Sequence, residues 1–121
     1  MKNLILKIFL FITIGFSYDL DECYISNDLS RVVVAGGSIT EIIYFLGMDK
    51  HLTAVDVTSN YPDKAKTLPS IGYVRNLSTE GILSLDPTLF LGENDMGPPI
   101  VLKQLKETDL DIRIVPEQHS A

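Results

Sequence analysis

The 121-residue sequence has no tryptophan, one cysteine and two histidines. A lone thiol, Cys23, cannot close an internal disulfide. It is also a poor lipid-attachment site, because "LDEC" carries acids where small residues would be needed. His51 precedes a predicted strand and His119 falls close to the last residue. Neither belongs to an H-x-x-x-H or C-x-x-C cluster, so both are expected on the surface and a zinc-type centre is excluded. Basic residues are also scarce: ten Lys and Arg stand against sixteen Asp and Glu, a formal net charge of −6. With no Lys/Arg cluster, nucleic acid and anionic membrane surfaces are excluded as partners. Nucleotide and nucleophile motifs are missing too: no G-x-G-x-x-G, no P-loop lysine, no G-x-S-x-G elbow and no Cys/His pair. "GENDMGPP" and "DVTSNYPDK" hold carboxylates, but not at the alternating spacing of a calcium loop. The sequon Asn76-Leu77-Ser78 is a chance match, since Ser78 already serves as a helix cap.

Long apolar runs are confined to the first 17 residues. "MKNLILKIFLFITIGFS" has Lys2 and Lys7, a short apolar stretch, and small residues at Gly15 and Ser17. This is the layout of a secretory signal peptide cut after Ser17, and it is too short for a comfortable membrane span. Removing it makes the remainder still more acidic. Export, with no stable membrane insertion after cleavage, is the expectation.

What remains suits one domain. Residues 18–30, "YDLDECYISNDLS", are polar and aperiodic, a loose leader. Residues 31–121 then alternate strand and helix. "RVVVAGG" reads as a buried strand closed by glycines. In "SITEIIYFLG", Ile39, Ile42, Ile43 and Leu46 share one helical face, Ser38 and Glu41 form a capping box, and Gly47 supplies the left-handed C-terminal cap. "HLTAVDVT" is a second strand, and a connection with two prolines follows, allowing one helical turn after Pro62. Ser78 caps a short helix from Thr79 to about Leu85, stopped by Pro87. "PTLFLGE" is a third strand. Pro99 opens a helix with Ile100, Val101, Leu102 and Leu105 on its apolar face, and "DIRIVP" is a fourth strand. This order predicts an α/β fold: a single Rossmann-like lobe with a four-stranded, mainly parallel sheet and flanking helices. Ligands of such sheets bind beyond the carboxyl ends of the strands. The loops there are Gly36–Ser38, Val57–Tyr61 and Glu93–Pro98, with Gly72–Arg75 as a neighbour. Gly36, Gly37, Ser38, Thr58 and Tyr61 are therefore candidate pocket-lining residues, although a tight turn into a capped helix explains the two glycines by itself.

Within the Gly72–Arg75 loop, Tyr73 and Arg75 admit two readings. They are surface residues, or they hold a ligand. A tyrosinate is a hard oxygen donor suited to ferric iron and is a known axial haem ligand. A phenol has a pKa of about 10, so metal coordination and a nearby cation must favour its anion. In an extended loop, residues two apart point to the same side, so Tyr73 and Arg75 could share one pocket wall.

The runs "RVVVAGGSITEIIYFLG", "VDVTSNYP", "LPSIGYVRNLSTEGILSLDPTLFLGE" and "GPPIVLKQL" closely resemble the periplasmic haem-binding proteins of bacterial haem-uptake ABC transporters. These form part of a class of two-lobed substrate-binding proteins linked by a helical backbone. The likeness spans roughly residues 31–116. The stretch Gly-Tyr-x-Arg-x-Leu-Ser-x-Glu-Gly is its most specific part. The resemblance implies that Tyr73 is the axial haem-iron ligand, that Arg75 steadies the tyrosinate, and that Glu80 docks to an arginine of the membrane permease. Glu80 also suits the first turn of a helix on electrostatic grounds alone. The implied cargo is haem b, carried as a transported ligand by a protein that is not an enzyme and is located in the periplasm. The implied partner is an ABC transporter permease. The resemblance covers the N-terminal lobe only, and the second lobe, with the far wall of the cleft, has no counterpart here.

Three alternatives differ in what they predict. A siderophore or corrinoid carrier binds ligands already saturated with metal and needs no phenolate. A small secreted α/β enzyme or nucleotide binder would use the Gly-Gly turn for phosphate near Ser38. A non-functional remnant would bind nothing.

Overall fold

The run Val32-Val33-Val34 is β-branched on both faces, so it suits a strand with no wet side. In the computed structural model, which describes residues 26–116, it lies at the centre of the sheet. Strand β1 (Val32–Ala35) is buried throughout. Helix α1 (Gly37–Phe45) leads to β2 (Leu52–Val55) through a 3₁₀ turn at Asp49–His51. A second 3₁₀ turn, Asp63–Thr67, precedes α2 (Thr79–Leu83), β3 (Leu89–Glu93), α3 (Pro99–Lys106) and β4 (Asp111–Val115). The four strands run in the order β2-β1-β3-β4, and every pairing is parallel. Val33 sits opposite Ala54 on one side and Phe90 on the other, and Phe90 opposite Ile112. The expected α/β lobe is present, and the sheet is wholly parallel among the described strands.

Right-handed crossovers decide where the helices go. The chain moves from β1 to β2 in one direction and from β3 to β4 in the other, so the connecting helices fall on opposite faces. Ile39 of α1 packs with Val32, Val34, Leu52, Val55 and Leu89. Ile82 of α2, with Val101 and Leu105 of α3, covers Val33, Ala35, Ala54 and Phe90 on the other face. The direction of travel reverses between β1 and β3, and this switch point opens a crevice at their carboxyl ends.

The helix boundaries qualify the sequence reading. Ser78 does cap α2, its Oγ accepting the Gly81 N–H at 3.2 Å. That helix ends at Leu83, two residues early. Pro99 does occupy the first turn of α3, but Ile100 points to solvent while Val101 and Leu105 are buried. Helix α1 starts at Gly37, one residue before the expected capping box, with Gly36 at the N-cap position and no side-chain cap. The Ser38 hydroxyl is drawn instead to Glu93. Gly47 does close the helix in a left-handed conformation (φ 69°), its N–H bonding the Tyr44 carbonyl and that of Met48 bonding Ile43.

The predicted apolar stripe of α1 is only half realised. Ile39 is buried and Ile43 partly so, whereas Ile42 and Leu46 are exposed and Phe45 is 90% exposed. Thr40 takes the buried position, with its hydroxyl on the Gly36 carbonyl and the Ser59 hydroxyl. His51 is not a plain surface residue, since it is half-buried with Nδ1 2.9 Å from the Leu29 carbonyl oxygen. The signal peptide, most of the leader with Cys23, and His119 lie outside the described residues. Among the described residues, no helix is long and apolar enough to cross a membrane.

Candidate functional site

The crevice is assembled around one carboxylate. Asp56 follows β2 directly and is buried. Its Oδ1 accepts the Gly36 N–H at 2.9 Å and the Ser59 hydroxyl at 2.9 Å. Its Oδ2 accepts the Thr58 N–H at 3.0 Å and the Thr58 hydroxyl at 2.6 Å. A buried carboxylate needs such a complete set of donors. Asp56 thus fastens the β1–α1 turn to the 57–61 loop.

The two glycines serve different ends. Gly36 has φ 143°, a region that side chains rarely tolerate. A Cβ there would also stand 2.5 Å from the Glu93 carboxyl, which lies across the turn. At Gly37 a Cβ would meet the Thr58 carbonyl oxygen at 2.7 Å, so close approach of the two loops is the constraint. Ser38 donates to Glu93 Oε1 at 2.7 Å, tying the start of α1 to the end of β3.

The tyrosine loop reaches this rim along the outer edge of β2. Val55 N–H bonds the Pro69 carbonyl and Ile71 N–H bonds that of Val55, a short parallel bridge centred on Ser70. Val57 N–H then bonds the Gly72 carbonyl at 2.9 Å. Gly72 turns the chain (φ 92°) and a turn closes from Asn76 N–H to the Tyr73 carbonyl at 2.8 Å. The loop is therefore a turn, not the extended segment the sequence reading assumed. Val74 and Leu77 are buried beneath it, while Tyr73 (46% exposed) and Arg75 lie on the outside. Gly97 fixes the loop from the other side, its N–H on the Val74 carbonyl at 3.0 Å and its carbonyl on the Leu77 N–H at 2.8 Å. Arg75 reaches across the same junction, with Nε 2.7 Å from Asp95 Oδ2.

Gly36, Gly37, Ser38 and Thr58 are thus brought together, and Tyr73 and Arg75 are fastened to the same rim. Tyr61 is not gathered with them. It is 68% exposed and lines a cavity of about 230 Å³ with Glu41, Tyr44, Phe45 and Pro62 on the flank of α1. Glu80 is exposed in the first turn of α2.

Sequence reasoning missed Asp56, Glu93 and Asp95. Asp56 was legible, since an Asp followed by Thr and Ser two and three residues on favours a side-chain-to-backbone turn. Glu93 and Asp95 gave no such local pattern, because their partners Ser38 and Arg75 lie 55 and 20 residues away.

A family model for periplasmic binding proteins matches residues 32–117, and the chain belongs to that family. It is similar to a periplasmic haem-binding protein of Pseudomonas aeruginosa, at 44% identity and TM-score 0.70 over 72% of this chain and 31% of that one. It is also similar to the periplasmic haem-binding protein RhuT of Roseiflexus sp. RS-1, at 45% identity and TM-score 0.70 over 72% of this chain and 34% of that one. A vitamin B12-binding protein of Pectobacterium carotovorum is 34% identical over 82 residues, 68% of this chain and 30% of that protein. The chain therefore spans about a third of the length of the proteins it matches.

Proposed function

We propose that this chain binds haem in the periplasm, as cargo and without enzymatic chemistry, for delivery to an inner-membrane ABC importer. The observation that carries the reading is Tyr73: a half-exposed phenol held on a rigid turn at the carboxyl-end rim. Ferric iron of haem b approaching this rim would find a phenolate oxygen that needs little reordering to bind. Arg75, exposed two residues further along the turn, would steady that oxygen once it is bound to iron. Gly36, Gly37, Ser38 and Thr58 supply the floor of the crevice, and Tyr61 has no part in it. Glu80 would dock to the permease, from an exposed position that leaves its carboxylate accessible. The described lobe offers one wall of the site.

The test is a titration of the chain with ferric haem, read by absorption. A high-spin ferric spectrum with a tyrosinate charge-transfer band, lost in Tyr73→Phe, is the expected result. Haem binding that is indifferent to Tyr73→Phe overturns it.

A corrinoid is the second reading, and the 34% identity to a vitamin B12-binding protein favours it. Cobalamin carries its own axial ligands and makes no use of an exposed phenol. The similarity to haem-binding structures is higher, at 44% and 45%, and Tyr73 has a role only with haem. Saturable cobalamin binding unaffected by Tyr73→Phe would reverse the order of the two readings.

A further inference from the structure

We propose that the outward face of α1 is a two-fold contact between copies of this chain, in which Phe45 of each copy seats in a cavity of the other. Ligand binding at the crevice makes no use of this face. Ile42, Phe45 and Leu46 are 56%, 90% and 64% exposed, and their spacing of three and four residues puts them on one side of the helix. Tyr61, 68% exposed, extends the patch, because it lines the same cavity as Phe45. Single exposed apolar residues are common, whereas a contiguous set marks an interaction surface. The fold does not require this one. Helix α1 is held to the sheet by its other side, where Ile39 and Thr40 are buried and Ile43 and Tyr44 partly so.

The patch carries both halves of its own contact. Phe45 stands out from the surface. Beside it lies the cavity of about 230 Å³ lined by Glu41, Tyr44, Phe45, Tyr61 and Pro62. A cavity of roughly 150 Å³ can hold a benzene ring, so this one has room for a phenyl group. A ring and a seat on one surface are what an isologous contact needs, since each copy then gives once and receives once. The area is also sufficient. The four side chains expose about 600 Å² per copy, so pairing would bury about 1,200 Å², at the low end of stable interfaces. Two of the four are aromatic, the type enriched in such contacts.

Charge separates a second copy from a basic partner. Glu41 is the charged residue of the cavity lining, and Asp49 beyond the end of α1 is paired with Lys64 at 3.8 Å. The chain as a whole carries a formal net charge of −6. Two copies repel at long range, so salt tightens their contact, whereas salt weakens a complex with a basic protein. Phe45 lies about 12 Å along the helix from Gly37, so the contact leaves the crevice open.

The experiment is sedimentation equilibrium of the full chain between about 1 and 200 µM. A monomer–dimer equilibrium with Kd on the order of 10 µM is expected for an interface of this size. Phe45→Ser should weaken it about thirtyfold and Tyr61→Ala about tenfold. The double variant should lose less than the product of the two, because ring and seat meet in one contact. Ile100→Ser, at a 55% exposed apolar position on α3, should dimerise like the parent. Raising the salt concentration should tighten the dimer, and thermal unfolding measured below the Kd should be unchanged in Phe45→Ser. A chain that stays monomeric, or assembly that runs beyond the dimer, overturns the proposal. So does association that survives Phe45→Ser and Tyr61→Ala, that is lost equally in Ile100→Ser, or that weakens with salt.

Discussion

Replacing Asp56 tests whether the crevice is built around a buried carboxylate. Asp56→Ala removes four acceptor contacts at once. They do not count equally. Thr58 is exposed, so water replaces the two bonds it donates. Ser59 keeps a partner in Thr40, whose hydroxyl lies 2.8 Å away. The Gly36 N–H is buried and is left with no acceptor, at about 1–3 kcal/mol, and losing the charge-assisted Ser59 bond adds about 1–2 kcal/mol. The sum is a loss of about 2–5 kcal/mol. For a domain of this size that lowers Tm by about 10–25 °C. Asp56→Asn retains one carbonyl oxygen for Gly36 and Ser59 and turns its amide toward Thr58, where water can intervene, so its loss should be about 1–2 kcal/mol. Thermal and urea unfolding of the two variants beside the parent chain would measure both. If Asp56→Ala costs less than about 1 kcal/mol, burying the charge already costs as much as its hydrogen bonds return, and the carboxylate does not organise the crevice.

Three further expectations follow from the same geometry. Ser78→Ala removes the cap of α2 and should cost about 1 kcal/mol in urea unfolding, with Ser78→Gly costing less; equal loss in both would argue against the cap. Gly37→Ala drives a Cβ to 2.7 Å from the Thr58 carbonyl oxygen, and should destabilise by about 1–3 kcal/mol; an unchanged Tm would mean the 57–61 loop yields freely. The hydrogen bond from Arg113 holds the Asp111 carboxyl below its ordinary range. That contribution is complete above the unfolded-state value of 3.8 and is lost as pH falls through the lower folded value. The stability advantage of the parent chain over Asp111→Asn should therefore shrink on acidification below about pH 4, and a difference constant with pH would refute the assignment.

The strands and their order were readable because a parallel α/β sheet writes itself locally. The Val32–Val34 run, the glycines after it and the Pro99 start are all decided within a few residues of chain. The start of α1 was misread because its cap competes with a distant group. Ser38 and Glu41 form a sound capping box on paper, but Asp56 takes the Gly36 N–H and Glu93 takes the Ser38 hydroxyl. The α1 stripe failed for a related reason. Periodicity ranks Ile42 above Thr40 for burial, yet Thr40 has hydrogen-bond partners inside, in Gly36 and Ser59. Tyr73 and Arg75 could be singled out from the sequence, whereas the Arg75–Asp95 pairing depends on how two loops meet.

The tyrosine loop separates what the fold needs from what a ligand would use. Val74 and Leu77 are buried in the core, Gly72 supplies a turn few side chains allow, and Gly97 ties the loop down through backbone atoms. None of these contacts depends on the identity of residues 73 and 75, whose side chains point outward from the same turn. Exchanging Tyr73 or Arg75 should therefore alter ligand chemistry with little change in stability, as expected of exposed positions away from packing constraints. That separation gives a physical reason why one scaffold can resemble both haem-binding and vitamin B12-binding proteins. The sheet is common ground, and on the haem reading proposed above the ligand would be chosen at outward positions that the core does not dictate.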